Sequence, residues 1–559
     1  MTGVRFPAHK LCYIDHGERC VLLAATGTSI QTLSAHSGLC MSVWPRDDGD
    51  ESEEVEEEIE DRPAKRLKFE DGQNGSLRRQ ESEASEASIE IKTEGRQRQK
   101  GERRKPKIPD LTLPHVSHLI TTSDGKHAIA ITAEDKAVRV FNVSRNGRLR
   151  QVSSRPMPKK SCALTLTRDQ KTILTADKFG DVYALPLHPT PDYKRKAGIT
   201  EIETAFKPSA SALTVHTRGN LEALRQQQTL KQVKTKKEGP DFEHKLLIGH
   251  VSLLTDLVIA EAELQGGQRP FILTSDRDEH IRVSRGIPQT HIIHNFCLGH
   301  TEFVSKLCVV PWANDVLVAG NGEPSLRVYD WQRGVETQRI DLREGFHNEI
   351  EACLTPDHSV DKLAVSGIWP ISYDERSHGL LVALEGLPLL LVFALTESEL
   401  RHAQTLNLAG NVLDVVGLKE QQTVAISIDS VHKTGSFKQH RDEGETDVGP
   451  IQTFAIQPVN LHAIEAESWG IRLEENTSPV PFELDNFSIE SLSDRREAAG
   501  YNQDRGYEKT YSVLGEFVYG LENLRKRRGK AAEEEDEEEA AGTVEEELEG
   551  VPETLGQRE

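Results

Sequence analysis

Residues 276–282 carry a charged or titratable side chain at six of seven positions: Asp276, Arg277, Asp278, Glu279, His280 and Arg282. A tight turn needs one or two polar residues, and Asp276 meets that need because aspartate accepts hydrogen bonds from turn amides. The other charges, of both signs, are surplus to the turn. Along the turn and into the strand after it, a two-residue period puts Asp278, His280 and Arg282 on one face. A negative, a titratable and a positive group in a row suit complementary pairing with another protein, where charge placement sets register and partner choice. Patterns for catalysis are missing from the sequence: it has no P-loop, no G-x-S-x-G and no zinc-spaced set of cysteines and histidines. Gly320-Asn321-Gly322 is turn chemistry, in which glycine and asparagine supply positive φ. The seven cysteines, at 12, 20, 40, 162, 297, 308 and 353, are odd in number and form no C-x-x-C pair. They fit reduced, mostly buried thiols of a cytosolic or nuclear protein.

The charged turn lies between an apolar run from Phe271 and a short alternating strand through Ile281 and Val283, the pattern of two antiparallel strands. That pattern recurs. Residues 131–143, 174–187, 273–285 and 318–330 align as an apolar pair, a small residue, a polar turn and an alternating strand. Ala133 and Ala176 are 43 residues apart, Ser275 and Gly320 are 45 apart, and Ala176 and Ser275 are separated by 99. The last gap holds two periods and an insertion, or one period and a long loop. Gly-His precedes two of the units, at 249–250 and 299–300, and Tyr329-Asp330 closes the second of these. Periods of roughly 40 to 45 residues with these marks are the signature of WD-repeat β-propellers. His250 and His300 are then expected to be structural, each bonded within its own blade. With units at 21–33, 116–143, 162–187, 245–285, 304–331, 380–395 and 411–430, the fold expected is an all-β, seven-bladed WD-repeat propeller. Either residues 1–14 or the segment from Ile451 would close the ring.

The formal net charge of -22 belongs to two runs. Residues 47–61 hold eleven acidic and no basic side chains, and residues 533–559 hold thirteen acidic and one basic, leaving the remainder near neutral. Such runs repel themselves and are expected to be disordered. The organisation expected is therefore a propeller of residues 1–45 and 113–465, a disordered charged insertion at 46–112, a basic insertion loop at 188–243, a C-terminal extension at 466–530 and an acidic disordered tail at 531–559. Residues 62–71, RPAKRLKFED, have the look of a nuclear-import signal or of an ordinary charged linker. The longest apolar stretch, residues 386–395, is broken by Pro388 and too short to cross a bilayer.

Residues 276–285, DRDEHIRVSR, followed by 296–307, FCLGHTEFVSKL, together with 173–187, ILTADKFGDVYALPL, give the chain a specific likeness. It resembles the WD-repeat, non-catalytic subunit of eukaryotic tRNA (guanine-N7)-methyltransferase, with insertions and tail of a fungal type. The likeness spans residues 116–335, and Tyr329-Asp330 departs from it where Trp-Asp is usual. The resemblance implies a non-enzymatic subunit in a heterodimer whose catalytic partner binds S-adenosylmethionine and methylates N7 of a guanine in the tRNA variable loop. No cofactor or metal is expected on this chain, which has no Gly-rich strand-to-helix turn, and no membrane contact is expected. Its implied role is to hold the partner in an active conformation and to help seat the tRNA. Arg282 and Asp278, with His280 and Arg277 beside them, are the expected partner contacts. Lys234, Lys236, Lys237, Arg103, Arg104 and Lys105 are candidate contacts to tRNA phosphates; without interleaved aromatics they are not expected to read bases. Localisation to the nucleus, with the cytoplasm as a further compartment, is expected. The alternative is a generic nuclear WD-repeat scaffold, such as a ubiquitin-ligase substrate receptor or a histone-binding subunit.

Overall fold

Successive side chains of a strand point to opposite faces, so a strand covered on both faces must be apolar or small throughout. The second strands of the units meet that condition: Cys20–Thr26, Val316–Asn321 and Thr423–Ile428 are buried at every position. Fourth strands such as Val335–Asp341 are polar and largely accessible. The computed structural model describes residues 6–17, 19–45, 114–190, 240–264, 267–354, 362–396, 399–441, 449–463, 466–476, 479–482 and 518–526, with a few single positions between them.

These residues form seven four-stranded antiparallel sheets, each contiguous in sequence. The first strands are Ala8–Asp15, Val116–Thr121, Ser161–Leu166, Leu254–Leu264, Val304–Val309, Val365–Ser372 and Val412–Leu418. Each packs against the first strands of the two neighbouring sheets, and the seventh returns to the first, so the sheets are blades around a central axis. The hydrophobic core is correspondingly divided among seven apolar clusters, one at each seam between adjacent blades. Among the described residues two short helices, Leu342–Gly345 and His347–Cys353, join the fifth blade to the sixth.

The register of every first strand slips at its beginning, between Ala8 and Lys10, Val116 and His118, Ser161 and Ala163, Leu254 and Asp256, Val304 and Lys306, Val365 and Gly367, and Val412 and Asp414. A bulge of this kind re-aims side chains. Here it frees short polar residues to tie blade to blade: Cys162 Sγ donates to Leu254 O (3.0 Å), Ser305 Oγ to Val365 O (2.6 Å), and Thr255 Oγ1 to Val304 O.

Neither segment expected to close the ring does so by crossing to another blade. Ala8–Asp15 is the first strand of its own blade and Ile451–Ala463 the third strand of the seventh. Closure is made by side chains instead. Asp414 Oδ2 accepts Leu11 N–H (2.8 Å), Ser427 Oγ donates to Ala8 O, Gln421 Nε2 donates to Ala35 O (2.8 Å), and Phe482 packs with Leu22, Leu33 and Leu418 in the seam. Two expected boundaries move. Lys245–Gly249 is the fourth strand of the third blade, paired with Asp181–Pro186, and does not open the fourth. The seventh blade runs past 465, because Ala466–Glu475 pairs with Ile451–Ala463. The charged insertion at 46–112 and the acidic tail at 531–559 lie outside the described residues, as does nearly all of 188–243 before Pro240.

Candidate functional site

Each second strand ends beside the start of its first strand, as Asp276 does beside Leu254, so the turns to the third strands ring the end of the channel where the first strands begin. Asp177, Asp276 and Asn321 occupy the same place in three blades, opposite the first residue of the first strand, and Asp429 stands one position beyond that place in the seventh. Their side chains accept backbone N–H groups two to four residues on: Phe179 and Asp181 for Asp177, His280 for Asp276 (2.9 Å), Glu323 for Asn321 (3.0 Å), and Val431 for Asp429 (2.7 Å). The turn role given to Asp276 is therefore its observed role. It is buried, and burial raises its pKa against the opposing effect of the His280 amide.

The charged turn is bound into its surroundings differently from the strand-face expectation. The third strand begins only at Ile281, and Glu279 has φ of 76°, so alternation is broken between Asp278 and Arg282. The Arg282 guanidinium turns back on the chain: Nε donates to Ser284 Oγ (3.0 Å) and Nη1 to Gly249 O (3.2 Å). That correction has a plain cause, since the carbonyl at the end of the third blade's outer strand lies within reach and a half-buried guanidinium must satisfy its donors. The Arg277 backbone N–H is anchored on Leu253 O (2.9 Å), while its side chain has no ion-pair partner among the described residues. His280 is exposed, with Nδ1 3.6 Å from Asp276.

Asp278 and Glu279 are held by part of the C-terminal extension. Residues 518–526 cross the channel end from the seventh blade to the fourth. Tyr519 is the anchor: its hydroxyl donates to Asp429 Oδ2 (2.5 Å) and accepts from Asn411 Nδ2 (3.2 Å). Burial drives the Tyr519 pKa up, with Asp429 adding to it. On Asp429, burial is the largest influence and works upward, but the hydrogen bond from His432 Nδ1 (2.6 Å), the electrostatic attraction of His432 and the Tyr519 hydroxyl together outweigh it and hold the carboxyl below its ordinary value. Leu521 N–H donates to Glu385 Oε1 (3.0 Å) in the sixth blade, and Arg525 Nη2 donates to Gly322 O (2.6 Å) and Lys362 O (2.7 Å). Lys526 Nζ then lies 2.8 Å from Glu279 and 3.5 Å from Asp278. Apart from the aromatic and basic composition of 518–526, no sequence signal could have linked it to the turn, because the partners are far apart in the chain.

Beside the turn, Phe179 and Val251 are exposed on adjacent loops, joined by the hydrogen bond from His250 N–H to Gly180 O (2.8 Å). The two Gly-His histidines are structural, as expected. His250 bridges two blades, with Nε2 2.9 Å from Thr274 Oγ1 of the fourth and Nδ1 3.2 Å from Gly180 O of the third, His300 meets Asn321 Nδ2 (3.1 Å), and burial lowers their pKa values to about 4 and about 3. Tyr329 fills the place of the usual tryptophan, fully buried, with its hydroxyl donating to Leu298 O (3.2 Å). None of the seven cysteines is in a disulfide. The six basic residues expected at tRNA phosphates, Lys234, Lys236, Lys237, Arg103, Arg104 and Lys105, lie outside the described residues.

The family model for the tRNA methyltransferase TRM82 WD40 domain matches residues 22–454. A protein of Coccidioides immitis named tRNA (guanine-N(7)-)-methyltransferase non-catalytic subunit TRM82 is 37% identical over 94% of this chain and 98% of its own length. Proteins of the same name from Sclerotinia sclerotiorum and Aspergillus fumigatus are 37% and 34% identical, over 80% and 94% of this chain and 90% and 99% of theirs. With the propeller, the charged turn and this near full-length likeness in hand, the chain belongs to the TRM82 family of WD40-domain proteins, whose curated members are named as non-catalytic subunits.

Proposed function

We propose that this chain is the non-catalytic subunit of a heterodimeric tRNA (guanine-N7)-methyltransferase, holding the catalytic subunit in its active conformation and helping to seat the tRNA. The observation that carries the reading is the family likeness along nearly the whole chain. The catalytic subunit docks on the channel end of the third and fourth blades. Support for that surface comes from its chemistry: exposed apolar Phe179 and Val251 stand beside the exposed His280 and beside Arg277, whose side chain has no ion-pair partner among the described residues. An apolar centre with a charged surround is the anatomy of a specific interface. Asp278 contributes while already neutralised by Lys526, and Arg282 supports the surface by fixing the loop at Gly249. S-adenosylmethionine belongs on the catalytic partner. Lys234, Lys236, Lys237, Arg103, Arg104 and Lys105 approach the tRNA backbone as point charges without reading sequence. The complex works in the nucleus, with residues 62–71 as the import signal.

The test is reconstitution. The chain alone should give no calorimetric signal with S-adenosylmethionine and no methylation of tRNA, and it should raise methylation when mixed with the catalytic subunit in a stoichiometric complex. Micromolar binding of the methyl donor to the isolated chain, or recovery of a ligase adaptor or histones in place of a methyltransferase, would overturn the reading.

A further inference from the structure

The bulges that open the first strands bring basic side chains together around the axis. Lys10 and Lys306 are each the third residue of a first strand, Lys160 immediately precedes another, and Lys178 sits in the turn of the third blade. All four line a cavity of about 300 Å³ at the channel end, together with His118, Ser161, Tyr519, Leu521 and Leu524. Two further lysines at this end are ion-paired, Lys526 with Asp278 and Glu279 and Lys362 with Glu522, and Lys159 lies over the Phe179 ring. The four cavity lysines have no ion-pair partner within 4.0 Å among the described residues.

Carboxylates do stand at this level: Asp177, opposite Ser161, gives Oδ1 to the amides of Phe179 and Asp181 while its buried Oδ2 has no hydrogen-bond partner and burial raises its pKa, and the others are engaged elsewhere. Asp256 accepts Leu307 N–H (2.9 Å) and Asp414 accepts Leu11 N–H and Trp369 Nε1 (both 2.8 Å), all across seams, and neither aspartate lines the cavity. Glu385 does line it, but its Oε1 is held by Leu521 N–H and burial pushes its pKa up to about 7. Among the basic groups repulsion prevails: burial and then Lys178 lower the Lys160 pKa against the attraction of Glu134, and burial followed by Lys306, Lys10 and Lys160 lowers His118 to about 3. An independent sign of a missing partner is Ser161, which is 2% exposed and whose Oγ has no hydrogen-bond partner.

We propose that this cavity is a binding site for a small phosphate-bearing anion, of the size of pyrophosphate or a triphosphate group, held by Lys10, Lys160, Lys178 and Lys306 with the Ser161 hydroxyl as a neutral donor. Lysines bind phosphate as point charges, and low-dielectric walls of one sign focus their field on an entering anion. The cavity volume is at the lower end for ligand sites and suits a dozen or so heavy atoms. With residues 518–524 laid over the mouth, a free anion fits and a nucleic-acid duplex does not.

The experiment titrates the full chain, alone and in its complex, with sodium tripolyphosphate, pyrophosphate and, as a control, chloride at matched ionic strength. Saturable calorimetric binding with one site per chain and a rise in melting temperature are expected for the phosphates and not for chloride. The double variant Lys160→Ala/Lys306→Ala should lose at least tenfold in affinity and, relieved of repulsion, melt no lower than the parent in anion-free buffer. Lys178→Met, at an exposed turn position, gives a second variant whose folding is not in question and should lose several-fold. Absence of saturable binding at millimolar tripolyphosphate, or equal affinity in parent and both variants, would overturn the proposal. So would competition in which tRNA displaces tripolyphosphate and loses affinity in parallel through the same substitutions, since the site would then belong to RNA.

Discussion

Arg282 and Arg277 sit five positions apart in the charged turn and act at different levels. The Arg282 guanidinium spans from Ser284 to Gly249 O, tying its own blade to the outer strand of the third. Arg282→Ala should therefore lower the melting temperature, at a cost of about 2 kcal/mol for two hydrogen bonds, and weaken the complex through the loosened loop. Arg282→Lys recovers charge without the two-point reach, so it should rescue stability only in part. Arg277→Ala should leave melting unchanged and weaken binding of the catalytic subunit about tenfold, on the order expected for a charged pair at an interface. Surface plasmon resonance beside thermal melts separates the two, and full affinity in Arg277→Ala would remove the turn from the interface. Glu385 is a third case. Burial raises its pKa to about 7 from an ordinary 4.5. The folded state thus holds a proton that the unfolded state has released, and the stability associated with that proton is complete below pH 4.5 and lost as pH rises through 7. Glu385→Gln should match the parent at pH 4.5 and out-melt it increasingly up to pH 8, by as much as about 3 kcal/mol. Parallel melting curves across that range would place the charge in water and refute the assignment.

Individual blades are hairpins that any WD-repeat sequence can form; joining the last to the first is the demanding step at the level of elements. Asp414 carries it with the inner strand of the seventh blade, since its Oδ2 accepts Leu11 N–H of the first blade and its Oδ1 accepts Trp369 Nε1 of the sixth. Truncation to alanine leaves two donors without partners in a seam. The expected loss is about 2 to 4 kcal/mol by the cost of unsatisfied buried groups, read as a lower denaturation midpoint. Asp414→Asn, which keeps one acceptor, should fall between. An alanine variant as stable as the parent would mean that the apolar seam around Leu22, Leu33 and Phe482 suffices for closure.

For the molecule as a whole, buried neutral imidazoles set the acid limit of stability. Burial lowers the pKa values of His9 and His250 to about 4 and of His118 and His300 to about 3, from 6.5. A lowered base pKa means that the unfolded chain takes up protons that the folded chain refuses. Stability contributed by these four groups is present above pH 6.5 and is lost as pH falls from there toward 3. Denaturant melts should show stability falling from pH 6.5 to 5, and a His300→Gln/His250→Gln variant should show a shallower fall; an unchanged slope would mean that these rings titrate freely. The division between what sequence and what tertiary structure determined follows sequence distance. Blade number, the turn at Asp276 and the bonds of His250 to Thr274 and of His300 to Asn321 were legible because they depend on residues within one period, and a strand buried on both faces leaves its mark locally. The path of residues 518–526, the direction of the Arg282 side chain, the lysine-lined cavity and closure of the ring were not. Lys526 meets Glu279 across 247 positions and Ser427 meets Ala8 across 419. Contacts of that span reflect no local propensity: they exist only once radial packing has brought seven strand ends to one axis, where a charge finds whatever partner the ring places opposite it.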